Sequence, residues 1–411
     1  MQIFRPLAQR PISRLWVGQV LSATGTEFYM VAVVWIASGL IGARAGYVSA
    51  LQAGALLFGS LFGGMITDRW RHGSTMIGAD LLRAALVLSL SLAGLLGMMS
   101  LPLLAAVAGC VALVSSTFDP ALQATLPMLV PQPALRHATN ALFDATRRMA
   151  RILGPGLVAL VNGILPTGQF FVVTAATFLL SAQAVRLAVR GQPLSRPRRD
   201  LAGIAAVIDS LIGGLRAVRG HTVLIYGLFA SLVGNVTWAM GLLLGMMLHL
   251  RQGSSDPLTD YSLMMTAYGV GNLASNLLLG SIGPGRPALR LVLSKLIFGL
   301  GVFLLPLTSD RPWLMLVAAL AAINGPFETL AMLHLMQNDL PPNRMAQVYR
   351  LQMCAVFSGL LLAYLAAPSL FNWFGFAPVI MGAGTATFAA GLAGLVFLLR
   401  KDARCDNQTR G

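Results

Sequence analysis

The sequence predicts an all-α membrane protein, with twelve transmembrane helices arranged as two pseudo-symmetric six-helix bundles. Three observations carry that expectation. Of 411 residues, 56% are hydrophobic and only 10% charged, against about 25% charged in an ordinary soluble domain, and mean hydropathy is +0.74. The apolar residues gather into twelve long stretches. A membrane helix needs about 20 such residues, so twelve would take up about 240 positions. One markedly polar segment divides the stretches into two sets of six. This composition excludes a water-soluble enzyme.

In the first half the stretches lie at about 14–40, 45–66, 76–97, 101–122, 139–162 and 168–188. In the second they lie at about 221–248, 260–282, 288–307, 312–336, 344–368 and 376–399. Unsatisfied backbone groups are costly in hydrocarbon, so each stretch is expected to be a helix. The N-terminus, MQIFRPLAQRPISR, lacks a signal peptide's short apolar core and small-residue cleavage site, so the first stretch is expected to remain as a helix.

The polar divider runs from Arg190 to His221, RGQPLSRPRRDLAGIAAVIDSLIGGLRAVRGH. Its Pro and Arg cluster reads as a linker. Leu201, Ile204, Ala205, Ile208, Leu211, Ile212 and Leu215 then recur at helical spacing, which predicts an amphipathic helix on the inner leaflet. The expected organisation is an N-terminal bundle over 1–188, a linker over 189–220, a C-terminal bundle over 221–400 and a cytoplasmic tail over 401–411. The halves echo each other at an offset of about 209 residues. LVPQPALRHATNAL follows the fourth stretch and DLPPNRMAQVY the tenth, with Asp119 in FDPALQ and Glu328 in PFETLA ahead of each. Repeated halves are a common transporter construction, with the substrate site near the midplane.

The 29 basic residues outnumber 14 acidic ones, giving +15. With a cytoplasmic N-terminus, the outer loops hold only Arg44, Arg251 and Arg311, and the other 26 basic residues lie in inner loops, tails or nearby helix ends. That asymmetry predicts both termini on the cytoplasmic side. It points to anionic lipid headgroups as partners rather than nucleic acid. Cys110, Cys354 and Cys405 show neither CxxC nor Cys/His spacing, so no metal or disulfide framework is expected. Neither HExxH nor GxSxG nor a glycine loop followed by Lys occurs, and no soluble domain is large enough for catalysis, so the expectation is a non-enzyme.

Three motifs narrow the class. In GGMITDRWRHG, Gly63 to Gly73, the spacing Gly64-x-x-x-Asp68-Arg69 resembles the signature loop of the major facilitator superfamily. The resemblance implies a cytoplasmic gate in which Asp68 meets the positive N-terminal end of the eleventh helix, near Asn343. The family's later basic position falls on His72, beside Arg71, and the second-half loop GSIGPGRPALR keeps Gly280 and Arg286 without an Asp. In RILGPGLVAL, Gly154-Pro155 looks like the Gly-Pro motif of the family's exporters, with Val158 and Ala159 where a glycine pair is usual. The alternative is an ordinary Pro kink.

GADLLRAALVL, FDPALQATLPMLVPQPALRHATNAL and GRPALRLVLSKL together resemble the bacterial exporter branch that contains the enterobactin exporter and macrolide efflux proteins. That likeness implies a proton-coupled exporter of the bacterial inner membrane. Its cargo would be a siderophore or similar anionic metabolite, or alternatively a drug or macrolide exchanged for protons; the remote alternative is a membrane scaffold that transports nothing. The expected partners are a small-molecule substrate, protons and membrane lipids. No cofactor is expected, and a monomer is.

Ionisable groups at bilayer depth are functional-site hypotheses by default. Glu27 lies near the middle of the first stretch with no basic residue in the same helix core. Burial disfavours its charge, which suits a proton-binding group; the alternative is a structural hydrogen bond. Glu328, with Asn324 one turn earlier, reads either as a second such group or as the partner of an Arg such as Arg350. Asp119 is its first-half counterpart, for which a structural ion pair is the other reading. Asp144 and Arg148 are spaced i,i+4, and Arg148 and Arg151 share a face. Those arginines either brace a helix end or form a basic wall for an anionic substrate, since guanidinium groups bind carboxylates bidentately. In the second half, Asn235 and Trp238 fall near the repeat equivalent of Glu27, and Tyr268, Asn272 and Asn276 form a polar stripe. Such a stripe lines a wet cavity or bonds to a neighbouring helix.

Overall fold

The structure is a computed structural model that describes residues 2–67, 71–130, 132–190, 204–282 and 285–409. It is all-helical, with fifteen α-helices and no strand among the described residues. The chain forms two compact units, Met1–Val207 and Ile208–Gly411.

The first unit contains α1 (Arg10–Ile41), α2 (Ala45–Thr67), α3 (His72–Leu95), α4 (Leu101–Leu129), α5 (Pro133–Val161) and α6 (Phe170–Val189). Pro occupies the first turns of α1, α4 and α5, where its missing N–H costs nothing. Positive-φ glycines follow α1 and α5, Gly42 and Gly163, as chain reversal after a helix requires. Helix α1 packs on α5 and α6, α2 on α4, and α3 on α4 and α6. Ile12, Leu15, Met76, Phe118, Leu122, Phe143 and Val185 build one buried cluster from five of these helices.

The described part of the linker region forms α7 (Ile204–Val218), and the Pro and Arg cluster, with Leu201, lies outside the described residues. Its apolar stripe Ile204, Ile208, Ile212 and Leu215 is exposed, as a leaflet-facing helix should be. Another face docks closely: a Cβ on Gly214 would lie 2.8 Å from the backbone oxygen of Gln347.

In the second unit, the seventh span is α8 (Thr222–Thr237), a π-helical segment at Trp238–Gly245 and α9 (Met246–Gly253). Then come α10 (Pro257–Ile282) and α11 (Pro287–Leu304). The tenth span divides into α12 (Arg311–Ala321) and α13 (Asn324–Asp339), and α14 (Pro342–Phe374) and α15 (Phe376–Thr409) complete the unit. Helix α11 packs on α15 and α13, α10 on α12, and α8 on α14. Gly299 of α11 and Gly384 of α15 face each other, and a Cβ on either would meet the other's carbonyl oxygen at 2.7 Å.

Among the described residues, nine helical stretches are long and apolar enough to cross a membrane, α1 and α2 counting as one stretch. Helices α5 and α10 fall short of that criterion. They are the two that carry the dense polar patterns: Asp144, Arg147, Arg148 and Arg151 on one, Tyr268, Asn272 and Asn276 on the other.

Candidate functional site: a charged cavity and two buried ion clusters

A cavity of about 180 Å³ opens in the first unit. Helix α1 lines it with Gln19, Ser22, Thr26 and Glu27, α3 with Arg83, α4 with Ser115, Phe118 and Asp119, and α5 with Arg147 and Arg151. Glu27 and Arg151 face each other at 3.8 Å, with side chains 35% and 53% exposed. The helix approach behind this contact rests on Gly154. A Cβ there would lie 2.4 Å from the Glu27 Cβ and 2.8 Å from the Phe28 backbone nitrogen. Pro155 follows inside the same helix. Trp16 of α1 also donates to Thr146 of α5 at 2.8 Å.

The neighbouring arginine is turned elsewhere. Arg148 donates to Asp144 at 3.1 Å with only 14% of its side chain exposed, and it is not among the cavity's residues. Arg147, which also reaches Asp144 at 3.3 Å, takes the place in the cavity wall that spacing gave to Arg148. Asp119 is exposed to the cavity and acts electrostatically on Arg83.

At the cavity's inner wall lies a buried, hydrogen-bonded ion cluster. Asp80 and Arg83, one turn apart on α3, form a buried salt bridge. Ser22 of α1 bonds both, at 3.2 Å to Asp80 and 3.0 Å from Arg83, and Ser181 of α6 donates to Asp80 at 2.6 Å. The guanidinium lies over the rings of Phe118 and Phe178, at 5.0 and 4.5 Å, a cation–π arrangement that supports a desolvated charge. Buried ions survive only with such partners, because desolvation costs several kcal/mol per ion.

The second unit has its own cluster. Lys295 of α11, wholly buried, donates to Glu328 of α13 at 2.5 Å, and Ser231 of α8 donates to the other carboxylate oxygen at 2.5 Å. The partner of Glu328 is therefore Lys295 on the ninth span, rather than an Arg of the eleventh such as Arg350. Gly234 makes room for it, since a Cβ there would meet the Lys295 Nζ at 2.7 Å.

The other second-half residues are brought together in part. Trp238, opening the π-helical segment, packs its ring against Tyr268 at 4.7 Å. Asn272 donates to the Ala322 carbonyl at 3.3 Å, and its neighbour Ser275 donates to Ile323 at 3.3 Å, both at the break between α12 and α13. Asn324, at that break, is buried with its Oδ1 unbonded among the described residues. Asn235 bonds back to Ser231 on its own helix, at 2.8 Å, and Asn276 is half-buried. Gly64 lies in the last turn of α2. Asp68 and Arg69 of the expected gate lie outside the described residues.

Asp80, Arg83 and Lys295 escape a reading based on loop charges. They fall inside apolar stretches but close to inner ends, so the positive-inside pattern absorbs both cations. The available signal was the i,i+3 acid–base pair in GADLLRAALVL and a lone Lys in LRLVLSKLIF.

Two units of long apolar helices, each holding a salt bridge inside it and the first a polar cavity, mark a multi-pass membrane protein of the transporter class. The chain belongs to the Major Facilitator Superfamily, whose family model matches residues 15–363. It is similar in structure to a POT family transporter in complex with a thioalcohol-conjugated peptide, with a TM-score of 0.76, 12% identity and coverage of 95% of this chain and 96% of that one. The peptide transporter POT in complex with sulfate gives a TM-score of 0.75, 14% identity and coverage of 95% and 94%. At such identities the likeness is one of fold. No curated protein matches the sequence. Among the described residues no group of three or more His, Cys, Asp or Glu could hold a metal ion.

Proposed function

We propose that this protein is a secondary active exporter of a small anionic molecule, a siderophore or similar metabolite. It works at the bacterial inner membrane, with both termini cytoplasmic, by proton-coupled alternating access of two six-helix bundles. The observation that carries this reading is Arg151 in the cavity wall, 3.8 Å from Glu27 and accompanied by Arg147. A substrate carboxylate or catecholate and the Glu27 carboxylate contend for the same guanidinium. A proton on Glu27 releases Arg151, so proton occupancy and substrate occupancy are linked. Among the described residues the aromatic lining is Phe118, which is poorly suited to a large apolar drug.

A second reading is a zwitterionic substrate such as a short peptide. It is favoured by Asp119 on the same cavity, which offers a negative group opposite the arginines. Proteoliposomes under an imposed pH gradient test both readings, with a catecholate, a tricarboxylate, a dipeptide and a cationic dye as probes. The expected result is proton-dependent movement of an anionic probe that is abolished in Arg151→Ala and uncoupled from pH in Glu27→Gln. Unaltered coupling in Glu27→Gln would remove that residue from the mechanism, and transport of the dye alone would replace the anion reading with drug efflux.

A further inference from the structure

The two ion clusters are built from corresponding positions of the halves. A serine on the first helix, a base on the third and an acid on the fourth recur: Ser22, Arg83 and Asp119, then Ser231, Lys295 and Glu328. The offsets are about 209 residues for the serines and acids and about 212 for the bases. The bonding differs. In the second unit the base holds the fourth-helix acid directly, Lys295 on Glu328. In the first, Arg83 is held by Asp80, and Asp119 is left exposed to the cavity. The residue that makes the difference is Asp80, whose counterpart about 212 positions later is Val292. Val292 is buried one turn before Lys295, as Asp80 is before Arg83.

We propose that Asp80 is a positioning residue: by holding Arg83 it leaves Asp119 as the cavity's free carboxylate, the group that accepts a single positive charge, whether a proton or a cationic group of the substrate. The charged residues that line the cavity with Asp119 are Arg83 from α3, Glu27 from α1 and Arg147 and Arg151 from α5. Glu27 answers Arg151 at 3.8 Å and Asp144 answers Arg147 at 3.3 Å. Arg83 is the remaining cation and stacks on Phe118, the residue before Asp119. Without the Asp80 charge, the desolvated guanidinium shares the cavity wall with Asp119, whose neighbour Phe118 it already stacks on, and the strong penalty on an unpaired buried charge drives it there. The first unit then takes on the arrangement seen in the second.

This inference concerns the cavity assigned above to transport, but its test needs no transport. The full-length protein in detergent is treated with a hydrophobic carbodiimide, which attacks protonated, accessible carboxyl groups. Labelling at Asp119 and Glu328 is then read by peptide mass spectrometry. Wild type is expected to label at Asp119 at least fivefold more than at Glu328. Asp80→Asn should lower Asp119 labelling at least fivefold, and Asp80→Asn/Arg83→Gln should restore it, a rescue that a merely structural role for Asp80 would not produce. Val292→Asp is the converse variant and should raise labelling at Glu328. Equal Asp119 labelling in wild type and a folded Asp80→Asn protein would overturn the proposal. If Asp80→Asn does not fold, unchanged Glu328 labelling in Val292→Asp overturns it instead.

Discussion

Gly154 is the position at which one methyl group tests the site's construction. The built Cβ falls 2.4 Å from the Glu27 Cβ, 2.8 Å from the Phe28 nitrogen and 3.0 Å from the Glu27 carbonyl carbon. Two of these three atoms are backbone and cannot rotate away. Gly154→Ala therefore requires α5 to withdraw from α1 by about 1 Å, since interiors are packed too densely to absorb the atom. Overpacking of this kind costs about 1–3 kcal/mol. The substitution also removes glycine's helix penalty, a gain of about 1 kcal/mol, so the net loss is up to about 2 kcal/mol. Gly78→Ala in α3 is the control, because its Cβ would meet nothing within 4 Å and it should gain up to about 1 kcal/mol. Thermal unfolding in detergent, followed by tryptophan fluorescence and size exclusion, compares the two. Gly154→Ala is expected to melt below wild type and Gly78→Ala at or above it. Equal melting of the two variants would refute the claim that Gly154 sets the α1–α5 distance, and with it the reason Arg151 meets Glu27.

Three further outcomes follow from two ion pairs and one hydrogen bond. Lys295→Met leaves the part-buried Glu328 bonded to Ser231 without its cation and should cost up to about 3 kcal/mol, the lower end of the range for a broken buried pair, whereas Lys295→Met/Glu328→Gln should recover most of that loss; denaturation of the three proteins forms the cycle. Arg311, half-exposed, donates to Asp260 at 2.6 Å, and Ser254 also serves that acid. Arg311→Ala should therefore cost about 1 kcal/mol or less, with the difference shrinking in high salt. Thr237 and Thr387 bond at 2.6 Å between α8 and α15, and Thr237→Val should lower stability by about 1 kcal/mol in the same melting assay.

Composition and periodicity made the architecture legible, because in hydrocarbon a chain must satisfy its backbone within each segment. The apolar stretches and the amphipathic pattern from Ile204 onward report local facts, and each appears as helix among the described residues. Glu27, Glu328 and Asp119 were visible as acids in apolar surroundings, and Arg151 as a base on a polar face. Their partners were not. Glu27 meets Arg151 from four helices away, Asp80 takes Ser181 from the sixth helix, and Glu328 takes Lys295 rather than an Arg. Apart from the i,i+3 pair Asp80–Arg83, a charge here is stabilised by whichever opposite group the packing brings within a few ångströms, and that choice is made between helices. Sequence alone determined that this chain crosses a membrane many times and carries costly ions inside it. Only the tertiary structure decided which ions cancel and which carboxylate is left to the cavity.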